Sequence, residues 1–265
     1  MLPNRLQKYL KTPSSSDDKY ARGVVGFITG SENFPGAAIL GVTAAIRTGI
    51  GMVRYLGPES VNELVLESRP EVVCGDGRVD AWVLGSGVPA ADGERLESAL
   101  TSPTPKIVDA GALETCNFET LTGTAILTPH AGEAAALLSR IDEPVDRKVV
   151  ESDPEAIALK IAHLTGQTVC LKGNITVIAN ELGEVVSVGP NSSDLATAGT
   201  GDVLAGIMGA ILAAHADDFD PLDIAQTAVL IHAEAARRLS EGGPIAALEL
   251  ADEVRAVVAD WRTES

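Results

Sequence analysis

The feature that most restricts the fold of this 265-residue chain is a rhythm of short apolar runs and helix-compatible stretches. Runs rich in Val, Ile, Leu and Ala recur at 24–28, 52–56, 81–84, 106–108, 125–127 and 168–171, with helical patterns at 36–49, 94–100 and 155–164 between them. In the first of these patterns Ile39, Val42 and Ile46 fall at helical spacing among small Ala and Gly residues, which suits a helix lying close against a sheet. Strand and helix in alternation predict a parallel sheet covered on both faces, so the expected fold class is α/β, a three-layer α/β/α arrangement around a mostly parallel sheet. Runs at 175–179 and 184–188 flank Asn180, Glu181, Leu182 and Gly183, which predicts an antiparallel hairpin and hence a mixed sheet edge. The last third reads as helices at 202–214, 223–240 and 248–261, with Gly242, Gly243 and Pro244 breaking the last two apart. No repeat and no low-complexity linker interrupts the pattern, so a single domain over residues 1–265 is expected, with residues 1–20 as a polar leader.

Composition narrows the function. At 45% hydrophobic and 22% charged residues, neither a disordered chain nor a disulfide-stapled miniprotein fits. Twenty Lys and Arg stand against 37 Asp and Glu, a formal charge of −17, and such a field repels phosphate backbones and anionic lipid surfaces. Nucleic-acid and membrane partners are therefore not expected, and an anionic substrate would need a local positive site built from helix N-termini, backbone amides and single cations. Cys74, Cys116 and Cys170 form no C-x-x-C pair and read as thiols in a reducing compartment. The first 23 residues contain no apolar core of a secretory signal, and no uninterrupted apolar run approaches 18 residues, so a cytoplasmic location is expected.

The densest chemical signal is LATAGTGDVLAG at 195–206. Gly199 and Gly201 bracket Thr200 directly before the periodic run Val203, Leu204, Ile207, Ile211, which puts them at a helix N-terminus. Amides freed of side-chain bulk there form an anion nest, strengthened by the helix dipole. Asp202 falls in the first turn. A carboxylate beside a bound phosphate is repelled unless it moves a proton or helps hold a cation such as Mg²⁺, although a first-turn Asp is also an ordinary helix-stabilising choice. Neither the lysine-bearing phosphate loop G-x-x-x-x-G-K-[ST] nor a strand-linked G-x-G-x-x-G occurs, which disfavours a P-loop NTPase and an ordinary dinucleotide dehydrogenase.

Further candidates sit where strands end, the usual ligand edge of a doubly wound sheet. His130, in TPHAGE at 128–133, could donate to a phosphate or a carboxamide, or simply face solvent, and Glu133 opens the next helix. Lys172, Gly173 and Thr176, in LKGNIT, could grip a nucleotide's phosphate or sugar, with Gly173 allowing close backbone approach. VLGSGV at 83–88 and VDAGAL at 108–113 complete five Gly-, Asp- or Thr-bearing loops at one edge. His232 lies among Val229, Ile231 and Ala236 and reads as a core or interface imidazole, and His163 and His215 sit near helix ends with no chemical role expected.

In this order, DDKYARG, the turn GSENFPGAA at 30–38, RTGIGMV, GSGV, VDAGAL, ILTPHAGE, LKGNITVIA, ATAGTGDVLAGI and IHAEAA resemble the ADP-dependent NAD(P)H-hydrate dehydratase family of ribokinase-like proteins, from about Asp18 to Ala236. The resemblance implies a carbon-oxygen lyase that repairs NADH or NADPH whose reduced ring has been hydrated: ADP (or ATP) phosphorylates the hydrate's hydroxyl, and elimination returns the cofactor with AMP and phosphate when ADP is the donor. It further implies Asp202 as general base, an anion hole at Gly199, Thr200 and Gly201, nucleotide contacts at Lys172, Gly173, Asn174, Ile175, Thr176 and Gly201, and hydrate contacts at Ala37, Gly87, His130 and Asp202. Mg²⁺ is the implied metal, with no ligand set assigned to the chain. A homo-oligomer is implied, a tetramer among its forms, as is a separate NAD(P)H-hydrate epimerase acting as pathway partner. The chain departs from the family's G-P-G-L-G pattern with Gly85, Ser86, Gly87, Val88 and Pro89, and from N-P-T-G-N-P-G with GPNSSD at 189–194. A ribokinase-like kinase of a thiazole or pyridoxine alcohol would use the same acid and nest, and a nucleotide-sensing module would keep the fold without turnover.

Overall fold

The computed structural model describes residues 2–10, 12–241 and 243–263. Nine strands form one sheet in the order β3-β2-β1-β4-β5-β6-β7-β8-β9. They are β1 (Val24–Ile28), β2 (Met52–Tyr55), β3 (Val73–Cys74), β4 (Ala81–Leu84), β5 (Lys106–Val108), β6 (Ala125–Leu127), β7 (Thr168–Leu171), β8 (Thr176–Ala179) and β9 (Val185–Val188). The first seven run parallel, and β8 and β9 add an antiparallel hairpin at one edge. Its turn is held by Asn180, whose side-chain oxygen accepts from the amides of Leu182 and Glu184 at 3.1 and 2.9 Å, while Gly183 takes φ +88°.

Because side chains alternate across the pleat, each strand feeds two cores. Val25, Phe27, Val83, Ile107 and Ile126 point into one, beneath α1 (Pro35–Thr48), α8 (Thr200–Ala214), α9 (Pro221–Ser240) and α10 (Ala247–Thr263). Ile28, Leu84, Val108 and Leu127 point into the other, beneath α3 (Glu97–Leu100), α4 (Gly111–Thr115), α5 (Ala131–Arg140), α6 (Arg147–Ser152) and α7 (Pro154–Thr165). The expected three-layer arrangement is therefore present, with element ends shifted by a few residues. The region expected as one helix over 94–100 is a 3-10 helix, Ala90–Leu96, continued by α3.

Three findings go beyond the sequence reading. The α2 helix (Glu59–Ser68) buries only Val61 and Val65, so it carried too narrow an apolar stripe to stand out. The stretch read as a polar leader contains a 3-10 helix, Asn4–Leu10, and Leu2, Leu6, Tyr9 and Leu10 are buried in the core under α9 and α10. The leader thus belongs to the packed domain, because four apolar side chains repeating through residues 2–10 outweigh the charges around them. Of the expected glycine break, Gly242 lies outside the described residues, and α9 ends at Ser240 with α10 starting at Ala247.

The strand order reverses beside β1, whose neighbours are β2 and β4, which makes the carboxyl edge between the loops after β1 and β4 the sheet's switch point, and Gly30 N donates across this narrow crevice to Ser86 O at 2.7 Å. One close approach aims α8 at this edge. A Cβ on Gly206 would stand 2.2 Å from the Gly41 carbonyl oxygen, so only glycine lets α8 lie this tightly on α1.

Candidate active site

The nest sequence folds as its glycines dictate. Gly199 caps α8 with φ +91°, a left-handed conformation that disfavours other residues, and a Cβ there would meet Leu40 Cδ1 at 2.5 Å. The amides of Gly199, Gly201 and Asp202 donate to nothing among the described residues, as expected of a first helical turn awaiting an acceptor. Two contacts fix the turn. The Thr200 hydroxyl lies 2.8 Å from the Leu195 carbonyl and 3.0 Å from that of Thr197. His232 Nε2 lies 2.9 Å from the Thr200 carbonyl, and since a carbonyl only accepts, that nitrogen carries the proton. Burial lowers the His232 pKa to about 4, so the imidazole stays neutral and acts as a positioning group of the core, as its sequence context suggested.

Asp202 has no hydrogen-bond or ion-pair partner among the described residues. Burial, aided by the Asp109 carboxylate and opposed by Lys172, pushes its pKa up to about 7. An uncommitted carboxyl with that pKa, beside three free amides, is suited to accept a proton near neutrality.

Lys172 is brought to the nest by the sheet. Beyond the paired strands β6 and β7 an isolated parallel bridge joins His130, three residues past β6, to Lys172, directly after β7, with the Lys172 amide donating to Pro129 O at 2.8 Å. Its Nζ lies 2.7 Å from Asp109 Oδ1 and 3.9 Å from Glu133 Oε2, and a Cβ on Gly201 would be 3.6 Å from it. Asp109 also accepts from Ser86 Oγ at 2.8 Å and Thr128 Oγ1 at 2.7 Å. Burial opposes its charge, but the Lys172 ammonium and these hydrogen bonds prevail and hold the carboxyl below the usual range. For Lys172 the same carboxylates outweigh burial and keep the amine charged.

The sequence reading did not single out Asp109 for the site or the hydroxyls of Ser86 and Thr128. The signal available was VDAGAL, where Asp follows a strand, and the local cost that marks it: Ala110 sits at φ +45°, ψ −117°, a conformation foreign to L-residues.

The candidate residues divide into two groups. His130, Lys172, Gly173, Asn174, Ile175, Thr176, Thr200 and Gly201 line one cleft of about 1050 Å³ between α6, the β7–β8 loop and α8. Its apolar wall includes Val150, Leu204 and Val229, and Asn191 spans Gly173 O and Thr176 Oγ1 at 3.2 and 3.3 Å. Ala37 and Gly87 do not line that cleft. They meet each other at the β1/β4 crevice, where a Cβ on Gly87 would lie 2.6 Å from Ala37 Cβ. Asp202 lies at the first turn of α8, whose start lines the cleft and whose Asp202 carbonyl faces Gly41 on α1. His130, grouped by resemblance with Ala37 and Gly87, stands in the wall of the Lys172 cleft. Its Nδ1 accepts from the amides of Gly132 and Glu133 while Glu133 Oε2 accepts from the His130 amide, so it caps α5 reciprocally and has its proton on Nε2.

Among the described residues no group of three or more His, Cys, Asp or Glu side chains is gathered for a metal. Asp202 is the uncommitted acid of the site, since Asp109 already accepts three hydrogen bonds.

The three-layer architecture is that of the ribokinase-like fold. Residues 25–255 match the family model described as NAD(P)H-hydrate dehydratase. A bifunctional NAD(P)H-hydrate repair enzyme of Mycobacterium leprae is 38% identical over 240 residues, covering 86% of this chain and 48% of that protein, so the chain spans about half the length of such relatives. An ADP-dependent (S)-NAD(P)H-hydrate dehydratase of Neisseria meningitidis is 32% identical over 277 residues, covering 97% of this chain and 90% of that one. The structure of the ADP/ATP-dependent NAD(P)H-hydrate dehydratase of Bacillus subtilis, co-crystallised with ATP and Mg²⁺, superposes with a TM-score of 0.87 at 27% identity, covering 97% and 96% of the two chains. With the glycine nest, its acid and the strand-end loops all inside the matched residues 25–255, the chain belongs to the NAD(P)H-hydrate dehydratase family.

Proposed function

We propose that this protein is an ADP-dependent (S)-NAD(P)H-hydrate dehydratase that restores NADH or NADPH from their hydrates with release of AMP and phosphate. The observation that carries this reading is the unpaired Asp202 carboxyl, with its pKa raised to about 7, one residue from the free Gly201 amide and at the turn where the nucleotide cleft begins. The nucleotide fills the cleft lined by Lys172, Gly173, Asn174, Ile175 and Thr176, and the hydrate enters from the β1/β4 crevice by Ala37 and Gly87. Asp202 takes the proton of the hydrate's hydroxyl as that oxygen attacks the terminal phosphoryl group. The amides of Gly199 and Gly201 hold the transferring group's oxygens, joined by that of Asp202 in place of Thr200, whose amide donates to Thr197 O at 3.4 Å, and Lys172, parked between Asp109 and Glu133, supplies positive charge beside Gly201. Asp202, the uncommitted carboxyl of the turn, would be the residue to help hold Mg²⁺, which when bound would supply further charge neutralisation to the phosphates. Elimination of the phosphate ester then regenerates the reduced ring.

An acidic chain can thus hold two anionic ligands because the positive field is local: one lysine, free amides and a helix N-terminus. We further place the protein in the cytoplasm as a homo-oligomer, with a separate epimerase converting the other hydrate epimer. All three cysteines are free, and among the described residues no helix is long and apolar enough to cross a membrane.

The test is to mix purified protein with hydrated NADH, Mg²⁺ and either ADP or ATP, following NADH absorbance and the nucleotide product together. Recovery of NADH with AMP from ADP is expected. A stable phosphate ester formed from ATP on a thiazole or pyridoxine alcohol, with no NADH recovered, would overturn the reading in favour of a small-molecule kinase.

A further inference from the structure

The loop between β1 and α1, residues 29–34, borders the crevice where the strand order reverses, and it holds an aromatic ring in an unusual place. Phe34 is 58% exposed in a chain with only 3% aromatic residues. Its backbone is fixed: the Phe34 amide donates to Ser31 O at 3.0 Å, and its own carbonyl accepts from Ala37. Its Cβ rests over Gly87, where an added Cβ would stand 3.2 Å from Phe34 Cβ and 3.0 Å from Phe34 O. Gly87 at φ +67° thus lets the loop after β4 pack directly against Ala37 and Phe34, so the exposed ring stands where the two loops meet.

Beneath the same loop the polar groups are incompletely paired. Thr29 Oγ1, Ser31 Oγ and Arg95 Nη2 are buried without partners among the described residues, although Arg95 Nη1 donates to Gly30 O at 3.4 Å. Three buried hydrogen-bonding groups gathered under one loop are polar capacity that a ligand at this loop could satisfy. A water-exposed phenyl ring costs free energy unless something flat covers it, and ring faces stack most favourably on other planar π systems.

We propose that Phe34 is a stacking platform for a planar heteroaromatic or dihydropyridine base of the dinucleotide, making it a binding residue for the hydrate side of the reaction and not for the ADP side. The proposal deepens the dehydratase reading and rests on it for the identity of the ligand. The shared chemistry is a flat nitrogen-heterocycle face, which either the nicotinamide end or the adenine end of the dinucleotide can present. Phe34 is separated from the Lys172 cleft, whose lining does not include it, so the two ligands should respond differently to its loss.

The experiment compares wild type with Phe34→Ala, Phe34→Leu and Phe34→Tyr. For Ala and Leu, KM for hydrated NADH should rise about tenfold, the size of a lost stacking contact, with kcat and the KM for ADP changed by less than about twofold. Tyr should restore the wild-type KM. A Leu variant that behaves as wild type would show that the site needs only apolar cover, and a matching rise in the KM for ADP or a change in oligomer mass would show that Phe34 serves the fold or a contact between copies. Any of these overturns the proposal. Equilibrium binding of NADH, which needs no turnover, separates this idea from the dehydratase reading. Binding weakened by Phe34→Ala in a protein that does not turn over supports the platform while the reading fails, and turnover with Phe34-independent binding does the reverse. Wild type that binds no NADH also overturns the platform. Reduced nicotinamide mononucleotide, which lacks adenine, distinguishes the ends: weakened along with NADH, it identifies the nicotinamide end, and unaffected, the adenine end.

Discussion

Asp202 shows how an ordinary residue becomes a specialised one. Without a partner and partly removed from water, it keeps its proton up to a pKa of about 7, where an exposed aspartate near 3.8 would have lost it. Turnover by a base requires the deprotonated form, so the rate should rise with pH through about 7 and level off above it. Asp202→Asn should lower kcat at least ~100-fold at pH 8, measured as NADH recovery, and should abolish that rise. The stability effect has the opposite sense. A raised folded-state pKa means the native chain holds a proton the unfolded chain has released, so this group's contribution is complete below about 3.8 and is lost as pH rises through 7. Asp202→Asn should therefore be more stable than wild type at pH 8 by about 1–3 kcal/mol, with the gap closing toward pH 4, as denaturant titrations at the two pH values would show. A variant with neither slower turnover nor added stability would mean that Asp202 is only a helix-terminal acid.

At the scale of elements, the site depends on how closely α8 and α1 approach. Gly206 and Gly41 face each other with no room for a methyl group, and this contact sets the height at which the glycine nest meets the sheet edge. Gly206→Ala should cost about 1–3 kcal/mol by overpacking, read as a lowered Tm, and should raise the KM for the nucleotide as α8 is pushed outward. Unchanged stability would mean that the helices can separate without strain. The α8 start was legible in the chain because glycine spacing and a following periodic run are local signals. The Asp109–Lys172 pair was not, because its members lie 63 residues apart on different strands and meet only through parallel pairing of β5, β6 and β7. His130 is a third kind of case: its loop was identified, but its work as the cap of α5 depends on the direction its ring takes once Glu133 turns back to it.

For the whole molecule, the N-terminal segment changes the account of what holds the domain together. Leu6 is fully buried, and its 3-10 helix packs against α9 and α10 on the face opposite α3 to α7. Leu6→Ala should destabilise the protein by about 2–4 kcal/mol in urea titration, a loss that a detached leader could not produce. The protein's charge of −17 belongs to this scale too, since anionic ligands approach against a repulsive field and are held only by the local nest. The alternation of strands and helices, the hairpin edge and the glycine nest with its acid were determined by the sequence itself, because each is written in neighbouring residues through periodicity, backbone freedom and helix capping. The tertiary structure decided the rest: the charge on Asp202, the placing of Lys172 between two carboxylates, the division of the loops into a cleft and a crevice, and the burial of the N-terminal segment. Each of these depends on distant residues sharing one low-dielectric space, and burial and separation in space are properties that no local pattern encodes.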